Sequence, residues 1–134
     1  YRKLIAQYHL ENHVFLRGFI YDLNQEIETA YLSLLTSKME GFNLGVLETI
    51  AKGVPTVSYD TKYGPSELIV NHKNGFLIEQ DNKEQLYHSV KKLLLDSNLR
   101  EQFSKESIKH AQIFNDKNVF DTWLTVFRTL KVNL

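Results

Sequence analysis

Two glutamates on either side of a glycine-bearing loop are the residues of this chain whose type and spacing best suit chemistry. Glu40 and Glu48 are eight positions apart, within the stretch from Ser37 to Pro55. A helix is predicted over residues 44–52, so one carboxylate lies before the helix and the other about one turn into it. The two glutamates therefore flank the start of the helix from two directions and do not share one helical face.

The start of this helix suits a ligand that carries both phosphate and sugar groups. Unpaired N–H groups around Asn43, Leu44 and Gly45 should point outward and favour phosphate oxygens. An ionised glutamate beside them can accept two hydrogen bonds from a vicinal diol, as the acidic residue of Rossmann-type sites does with ribose. A nucleotide sugar has both kinds of group. A two-carboxylate glycosidase would use the same glutamates but would not explain the helix start between them.

Strands alternate with helices along the first part of the chain. The predicted strands are Val14–Ile20, Tyr31–Thr36, Val54–Tyr59 and Phe76–Glu79. The predicted helices cover residues 1–10, 22–28, 44–52, 63–70, 81–94, 97–111 and a last segment from residue 115. The strand before the loop is almost continuously apolar, which is typical of a parallel sheet covered on both faces. We therefore predict an α/β, Rossmann-like domain with a parallel sheet of at least four strands flanked by helices, and a helical C-terminal tail.

The composition excludes several classes of protein. Its 134 residues include 16 Lys and Arg and 16 Asp and Glu, without long blocks of either sign, so we predict no nucleic-acid binding. No apolar run approaches the ~20 residues of a membrane span, and without cysteine there is neither a disulfide nor a thiolate metal site. His9 and His13 bracket Glu11, but this order differs from the H-E-x-x-H of zinc proteases, so we predict no metal site.

The two ends of the chain carry separate expectations. The sequence begins at Tyr1 in the middle of a pattern and without a starting Met, so we expect residues 1–134 to be a single domain of a longer polypeptide. We assign most of the apolar face of the last helix to the domain core, because large aromatic residues dominate cores. The residues of that face are Val119, Phe120, Trp123, Val126, Phe127 and Leu130.

The pattern around the two glutamates resembles the signature of the retaining, nucleotide-sugar-dependent glycosyltransferases of group 1. These enzymes have the GT-B fold of two facing Rossmann-like domains, and they carry a pattern like S-x-x-E-G-F-x-L-x-x-L-E-x-x-A-x-G-x-P. The matching residues are Ser37, Glu40, Gly41, Phe42, Leu44, Leu47, Glu48, Ala51, Gly53 and Pro55. The segments from Ser58 to Glu67 and from Asn115 to Trp123 resemble a subgroup that includes bacterial teichoic-acid and adhesin glycosyltransferases.

The resemblance implies a role for each residue of the motif. Glu40 would sit against the donor sugar and assist catalysis at its anomeric carbon, and Glu48 would bind the ribose hydroxyls. The backbone amides expected to contact the sugar and the diphosphate are those of Gly41, Phe42, Asn43 and Leu44. Further candidate donor contacts are Gly18, Tyr63, Gly64 and Pro65. The family often has Gly at the position of Asn43, so a side chain is expected to project near the sugar here.

The resemblance also implies the reaction and its setting. A glycosyl group would pass with retention from a nucleotide sugar, expected to be a UDP-sugar, to a teichoic acid, another polysaccharide or a surface protein. No metal or other cofactor is expected. The chain would be the donor-binding C-terminal domain of a cytoplasmic enzyme, with or without peripheral membrane association. The acceptor-binding N-terminal domain and the basic residues that clamp the pyrophosphate would lie outside this chain, so the fragment alone is expected to be inactive.

Two other functions are compatible with parts of the sequence. A non-catalytic sugar-nucleotide-binding or partner module of a glycosyltransferase complex would have the same fold. Glu40 argues against such a module, because a protein that only binds need not keep the carboxylate that faces the sugar. A dehydrogenase-type dinucleotide domain would require G-x-G-x-x-G after a strand, and the sequence contains no such motif.

Overall fold

Three short parallel strands form the sheet of the computed structural model, which describes residues 1–130. The strands are β1 (Ser33–Leu35), β2 (Thr56–Tyr59) and β3 (Gly75–Ile78). The helices are α1 (Arg2–Gln7), α2 (Asn24–Glu28), α3 (Leu44–Ala51), α4 (Pro65–Leu68), α5 (Lys83–Leu95), α6 (Ser97–Ala111) and α7 (Asp116–Thr129), with a 3-10 turn at Gln112–Phe114 between the last two. This confirms the predicted α/β fold with a parallel sheet, flanking helices and a helical C-terminal tail.

The order of the strands follows the order of the chain. Within residues 1–130 the sheet runs β1-β2-β3, with Ser33 opposite Thr56 and Thr56 opposite Gly75. The central strand, β2, is buried at all four positions, as expected for a strand covered on both faces. Helices connect the strands, so the carboxyl ends of all three lie at one edge of the sheet.

The prediction of at least four strands is wrong for the described part of the chain. The segment Val14–Ile20 forms no strand, although its composition is that of a strand. A strand requires a neighbour to accept and donate its backbone hydrogen bonds, and none of the described strands pairs with this segment. Its side chains are accordingly exposed, Phe15 to 69% and Phe19 to 83%.

The sheet separates two apolar cores. Alternate residues of β2 and β3 pack with α5 and α6 on one side, in a cluster formed by Val57, Tyr59, Phe76, Ile78, Leu93 and Phe103. The other cluster joins α3, α4 and the end of α6, and its buried residues are Val46, Ile50, Leu68, Ile69 and Ala111. Because α3 and α4 are both fixed in the second core, the loops that lead into them are fixed relative to each other.

The last helix is not part of either core, contrary to our expectation. No residue of α7 is buried, and Trp123 is 55% exposed although its ring stacks on that of Phe127 at 5.7 Å. The chain leaves α6 through the 3-10 turn, and this turn is the element on which α7 makes its main contacts. Most of the apolar face of α7 is therefore exposed.

None of the helices in residues 1–130 combines the length and the hydropathy that crossing a membrane would require.

Candidate functional site at the carboxyl edge of the sheet

The two loops that follow β1 and β2 meet at the carboxyl edge of the sheet. Ser58 pairs with Leu35 in the register, so the two strands end side by side. The first loop, residues 36–43, leads into α3, and the second, residues 60–64, leads into α4. In open α/β sheets this edge is where ligands bind. The structure thus brings the predicted site residues of both loops to one place.

Asn43 forms the N-cap of α3. Its Oδ1 accepts a hydrogen bond of 2.9 Å from the Val46 N–H, and its backbone is extended, with φ −83° and ψ 97°. The side chain therefore turns back onto the first turn of the helix. The N–H groups of Leu44 and Gly45 belong to the first turn and have no acceptor within the helix, so they remain available to a ligand.

The two glutamates lie on different sides of this helix start. Glu40 is half-buried and lies within the first loop, three residues before the N-cap Asn43, whereas Glu48 is exposed on the second turn of α3. Glu48 borders a cleft of about 290 Å³ whose other residues are Ile20, Tyr21, Asp22, Leu23, Asn24 and Ile27. The predicted arrangement, with one carboxylate before the helix and one on it, is confirmed as geometry.

The wall of the cleft opposite Glu48 was not predicted as part of the site. Asp22 Oδ1 accepts a 2.9 Å hydrogen bond from the Asn24 N–H and shapes the turn into α2. Lys52 and Glu28 form a 2.6 Å ion pair between the two helices that border the cleft, α3 and α2. The signal in the sequence was Asp22, a residue suited to start a helix, but its proximity to Glu48 depends on the tertiary fold.

Gly18 lies just before this wall and not in it. Its φ is +66°, and the aromatic rings of Phe19 and Tyr21 that follow meet edge to face at 5.0 Å. Both rings are almost fully exposed, Tyr21 to 97%. Gly18 does not line the cleft, whereas Ile20 and Tyr21, two and three residues later, do.

The second loop divides into buried and exposed candidates. Gly64 and Pro65 are buried, with Pro65 at the first position of α4 and Gly64 at φ +89°. Tyr63 is 61% exposed, and the Lys62 Nζ lies 5.1 Å from the centre of its ring. Of these three sequence candidates, only the Tyr63 side chain is open to a ligand.

The side chain of Phe42 attaches the first loop to the 3-10 turn that follows α6. Its ring packs against that of Phe114 in the 3-10 turn, with 5.4 Å between the ring centres, and the His110 ring is 5.8 Å from Phe114. The side chain of Phe42 thus packs against the 3-10 turn, which leaves its backbone as the part that a ligand could contact. Phe114 was not among the predicted residues, because nothing in its local sequence relates it to the loop.

The described residues, 1–130, contain no group of three or more His, Asp or Glu side chains placed to hold a metal ion.

Comparisons with known proteins bear on both sequence and fold. A family model described as "Glycosyl transferases group 1" matches residues 1–110. The poly(glycerol-phosphate) alpha-glucosyltransferase of Bacillus subtilis is 34% identical over 122 residues, which are 91% of this chain and 18% of that protein. The match to the family model thus covers both loops and both glutamates.

Two solved structures share the fold. A mutant of S. aureus TarM in complex with Fondaparinux, alpha-GlcNAc-glycerol and UDP superposes with a TM-score of 0.88 at 30% identity, over 94% of this chain and 26% of that one. The pneumococcal O-GlcNAc transferase GtfA, in complex with UDP and GlcNAc, gives a TM-score of 0.84 at 25% identity, over 98% and 27%. The chain thus spans 18% to 27% of the length of these three relatives. It belongs to the group 1 glycosyl transferases, and its fold is that of the C-terminal domain of GT-B enzymes.

Proposed function

We propose that the chain is the donor-binding domain of a retaining glycosyltransferase that uses a UDP-sugar and acts on a cell-envelope polymer. The observation that carries this proposal is the position of Glu40, the open start of α3 and Glu48 at one edge of the sheet. The structures of the similar TarM and GtfA proteins both contain UDP, which supports a uridine nucleotide as the ligand.

Each part of the site suits one part of such a donor. The first-turn N–H groups of Leu44 and Gly45, with the positive end of the helix dipole, bind the diphosphate. The exposed carboxylate of Glu48 accepts hydrogen bonds from the two ribose hydroxyls. The cleft between Glu48 and the segment Ile20–Asn24 then receives the rest of the nucleoside. The nucleotide lies across the start of α3, and the sugar lies on the side of Glu40.

Glu40 is the residue that we assign to catalysis. As the bond between the anomeric carbon and the diphosphate oxygen breaks, the electron pair leaves with the diphosphate and the sugar carbon becomes positively charged. An ionised carboxylate next to that carbon stabilises this charge, while the helix start stabilises the departing diphosphate. The acceptor hydroxyl oxygen forms the new bond on the face that the diphosphate leaves, with retention, while its O–H bond breaks and the proton passes to the departing diphosphate oxygen. With both charges stabilised in this way, the step requires no metal.

The acceptor is assigned by similarity. The Bacillus subtilis relative is named for transfer of glucose to poly(glycerol-phosphate), so a teichoic-acid-type polymer is the acceptor that we propose, with a surface protein as the alternative. The rest of the enzyme, including the acceptor-binding domain and the basic residues for the pyrophosphate, belongs to a longer polypeptide. We place that polypeptide in the cytoplasm, where nucleotide sugars are made.

The experiment that tests this function separates binding from transfer. In the complete polypeptide, Glu40→Gln removes the charge next to the sugar and should lower kcat by about 100-fold or more while UDP still binds. Glu48→Gln should instead weaken UDP binding by about tenfold, the effect of one charge-assisted hydrogen bond. Transfer from UDP-glucose and UDP-N-acetylglucosamine to poly(glycerol-phosphate) and calorimetric titration with UDP measure the two effects.

Glu101→Gln is the matched control, because Glu101 lies on α6 at the opposite edge of the sheet. There a 2.6 Å hydrogen bond from Lys105, together with the positive charge of its ammonium group, holds the pKa of the Glu101 carboxyl below its usual value. Its removal should change neither transfer nor UDP binding. Unchanged transfer by the Glu40→Gln variant would show that Glu40 does not take part in catalysis. It would therefore favour the alternative in which this chain only binds the nucleotide sugar.

A further inference from the structure

We propose that Gly64 is a positioning residue of the donor site, an inference that rests on the proposed function. Gly64 is buried and has a φ of +89°, in the left-handed region that favours glycine. A Cβ at this position would lie 1.7 Å from the carbonyl O of Gly41 and 2.9 Å from its carbonyl carbon. The backbone of the second loop therefore lies directly against the backbone of the first loop, residues 36–43, which we call the donor loop. Only a residue without a side chain permits this approach.

The contact is specific to Gly64 among the left-handed glycines. At Gly53, with φ +76°, a Cβ would meet side-chain atoms of Ser104 and Ile108, at 2.6 Å and 3.1 Å. At Gly18, with φ +66°, a Cβ would have no neighbour within 4 Å. Only at Gly64 is the nearest atom a backbone atom of the donor loop, which cannot rotate out of the way as the side chains near Gly53 can.

The loop that carries Gly64 is itself firmly held. The buried Thr61 donates a 3.1 Å hydrogen bond from its Oγ1 to the carbonyl O of Tyr63, and the Glu67 N–H donates to the carbonyl O of Gly64 at 3.0 Å. The His110 Nε2 on α6 lies 3.0 Å from the carbonyl O of Glu67. Gly64 is therefore connected through α4 to the long helix α6. Its fixed backbone can limit the movement of the donor loop.

The donor loop is held from its other side as well. The ring of Phe42, the residue after Gly41, packs on Phe114 in the 3-10 turn that follows α6. The peptide between Gly41 and Phe42 is thus restrained on one side by the backbone of Gly64 and on the other by the packing of the Phe42 ring. Both restraints lead to α6 or to the turn that follows it. Glu40 immediately precedes this peptide, and the capping residue Asn43 follows it. The position of the Gly41 carbonyl consequently sets where the catalytic carboxylate and the first turn of α3 point.

Gly64→Ala tests this role in the complete polypeptide. A Cβ-to-neighbour distance below 3.0 Å is essentially never seen, so the Gly41 carbonyl has to move by about 1 Å or more. A displacement of about 1 Å at a reacting centre can cost about 100-fold in rate, and we expect a loss of that size in kcat/KM for UDP-glucose or UDP-N-acetylglucosamine. UDP affinity should fall by about tenfold, because the start of α3 moves with the loop.

Gly53→Ala is the matched control, since it adds the same methyl group at a left-handed glycine and also crowds its surroundings. Both variants should have lower thermal midpoints, but the control should keep its UDP affinity within about twofold, because its strain lies at the far end of α3. Hydrogen exchange of the amides in residues 41–46 should accelerate in the Gly64 variant alone. Equal UDP affinity and equal exchange in the two variants would overturn the positioning role.

A second variant covers the case in which Gly64→Ala does not fold. Thr61→Val keeps the shape of a side chain that is 6% exposed but removes the hydrogen bond to the Tyr63 carbonyl. Weaker UDP binding together with faster exchange in residues 41–46 supports the role, and wild-type behaviour in both overturns it. A wild-type polypeptide that does not bind UDP would defeat the proposed function, whereas the exchange measurement reports the link between Gly64 and the donor loop without any ligand.

Discussion

Asn43 shows how one side chain can serve the helix and the site together. By accepting the Val46 N–H, it satisfies one of the first-turn donors of α3 and leaves those of Leu44 and Gly45 for a ligand. A glycine at this position would leave the third donor open as well and would make the loop more flexible. The asparagine thus limits the anion-binding capacity of the helix start but fixes the direction of the remaining N–H groups.

Removing this cap should affect both stability and binding. Asn43→Ala should lower the free energy of unfolding by about 1 kcal/mol, the usual effect of losing an N-cap. Asn82→Ala is a matched control, because Asn82 caps α5 in the same way, with its Oδ1 accepting from the Gln85 N–H at 3.0 Å. Urea denaturation should show similar losses for the two variants, whereas titration with UDP should show weaker binding only for Asn43→Ala. Equal UDP affinity would mean that Asn43 serves only the helix.

Residues whose positions depend on neighbours in the sequence could be predicted, whereas contacts between segments that are distant in the sequence could not. Glu40 and Glu48 lie where their spacing around a helix start placed them, one before α3 and one on its second turn. Gly64 and Gly41 are 23 positions apart, and their contact exists only because β1 and β2 end side by side. The sequence predicted Gly64 only as a candidate donor contact, whereas in the structure its backbone lies against that of a distant loop.

Among the elements, helices were predicted better than strands, for a physical reason. The hydrogen bonds of a helix and its caps are local: the helix predicted over residues 81–94 is observed as α5, Lys83–Leu95, with Asn82 as its cap. The helix predicted over residues 97–111 is observed as α6, Ser97–Ala111, and the Oδ1 of its cap Asp96 accepts from the Leu99 N–H. The hydrogen bonds of a strand belong to its neighbour, and for that reason the apolar segment Val14–Ile20 could not be classified from its own residues.

Helix α7 has apolar residues that are not buried, so their substitution should have little effect on stability. Phe120→Ser and Trp123→Ser should each change the free energy of unfolding by no more than about 0.5 kcal/mol, because both side chains are more than half exposed. Phe103→Ala on α6 is the contrast: Phe103 is 1% exposed and its ring lies 5.2 Å from that of Phe76. This variant should lose about 3–5 kcal/mol in chemical denaturation. A large loss at Trp123 would show that the face of α7 is covered in solution.

At the scale of the whole molecule, one edge of the described sheet is exposed. The strand β1 is at an edge of the described sheet, and its Leu34 is 50% exposed. An edge strand presents unpaired backbone groups to which further strands can add. The chain also spans only 18% to 27% of the three relatives compared above, so the proposed donor site would occupy a small part of an enzyme of that size.

The last prediction compares this chain with the complete polypeptide. The residues that flank α3 supply carboxylates and N–H groups, whereas a diphosphate also attracts basic side chains, and we expect these to come from outside residues 1–134. Each charge-assisted hydrogen bond that the isolated chain lacks should weaken UDP binding by about tenfold. Calorimetric titration of the two proteins with UDP should therefore give a markedly higher dissociation constant for the isolated chain, and assays with UDP-glucose or UDP-N-acetylglucosamine should detect no transfer by it. Robust turnover by the isolated chain would contradict the division of the active site between two domains, because all of its catalytic groups would then lie in the described loops.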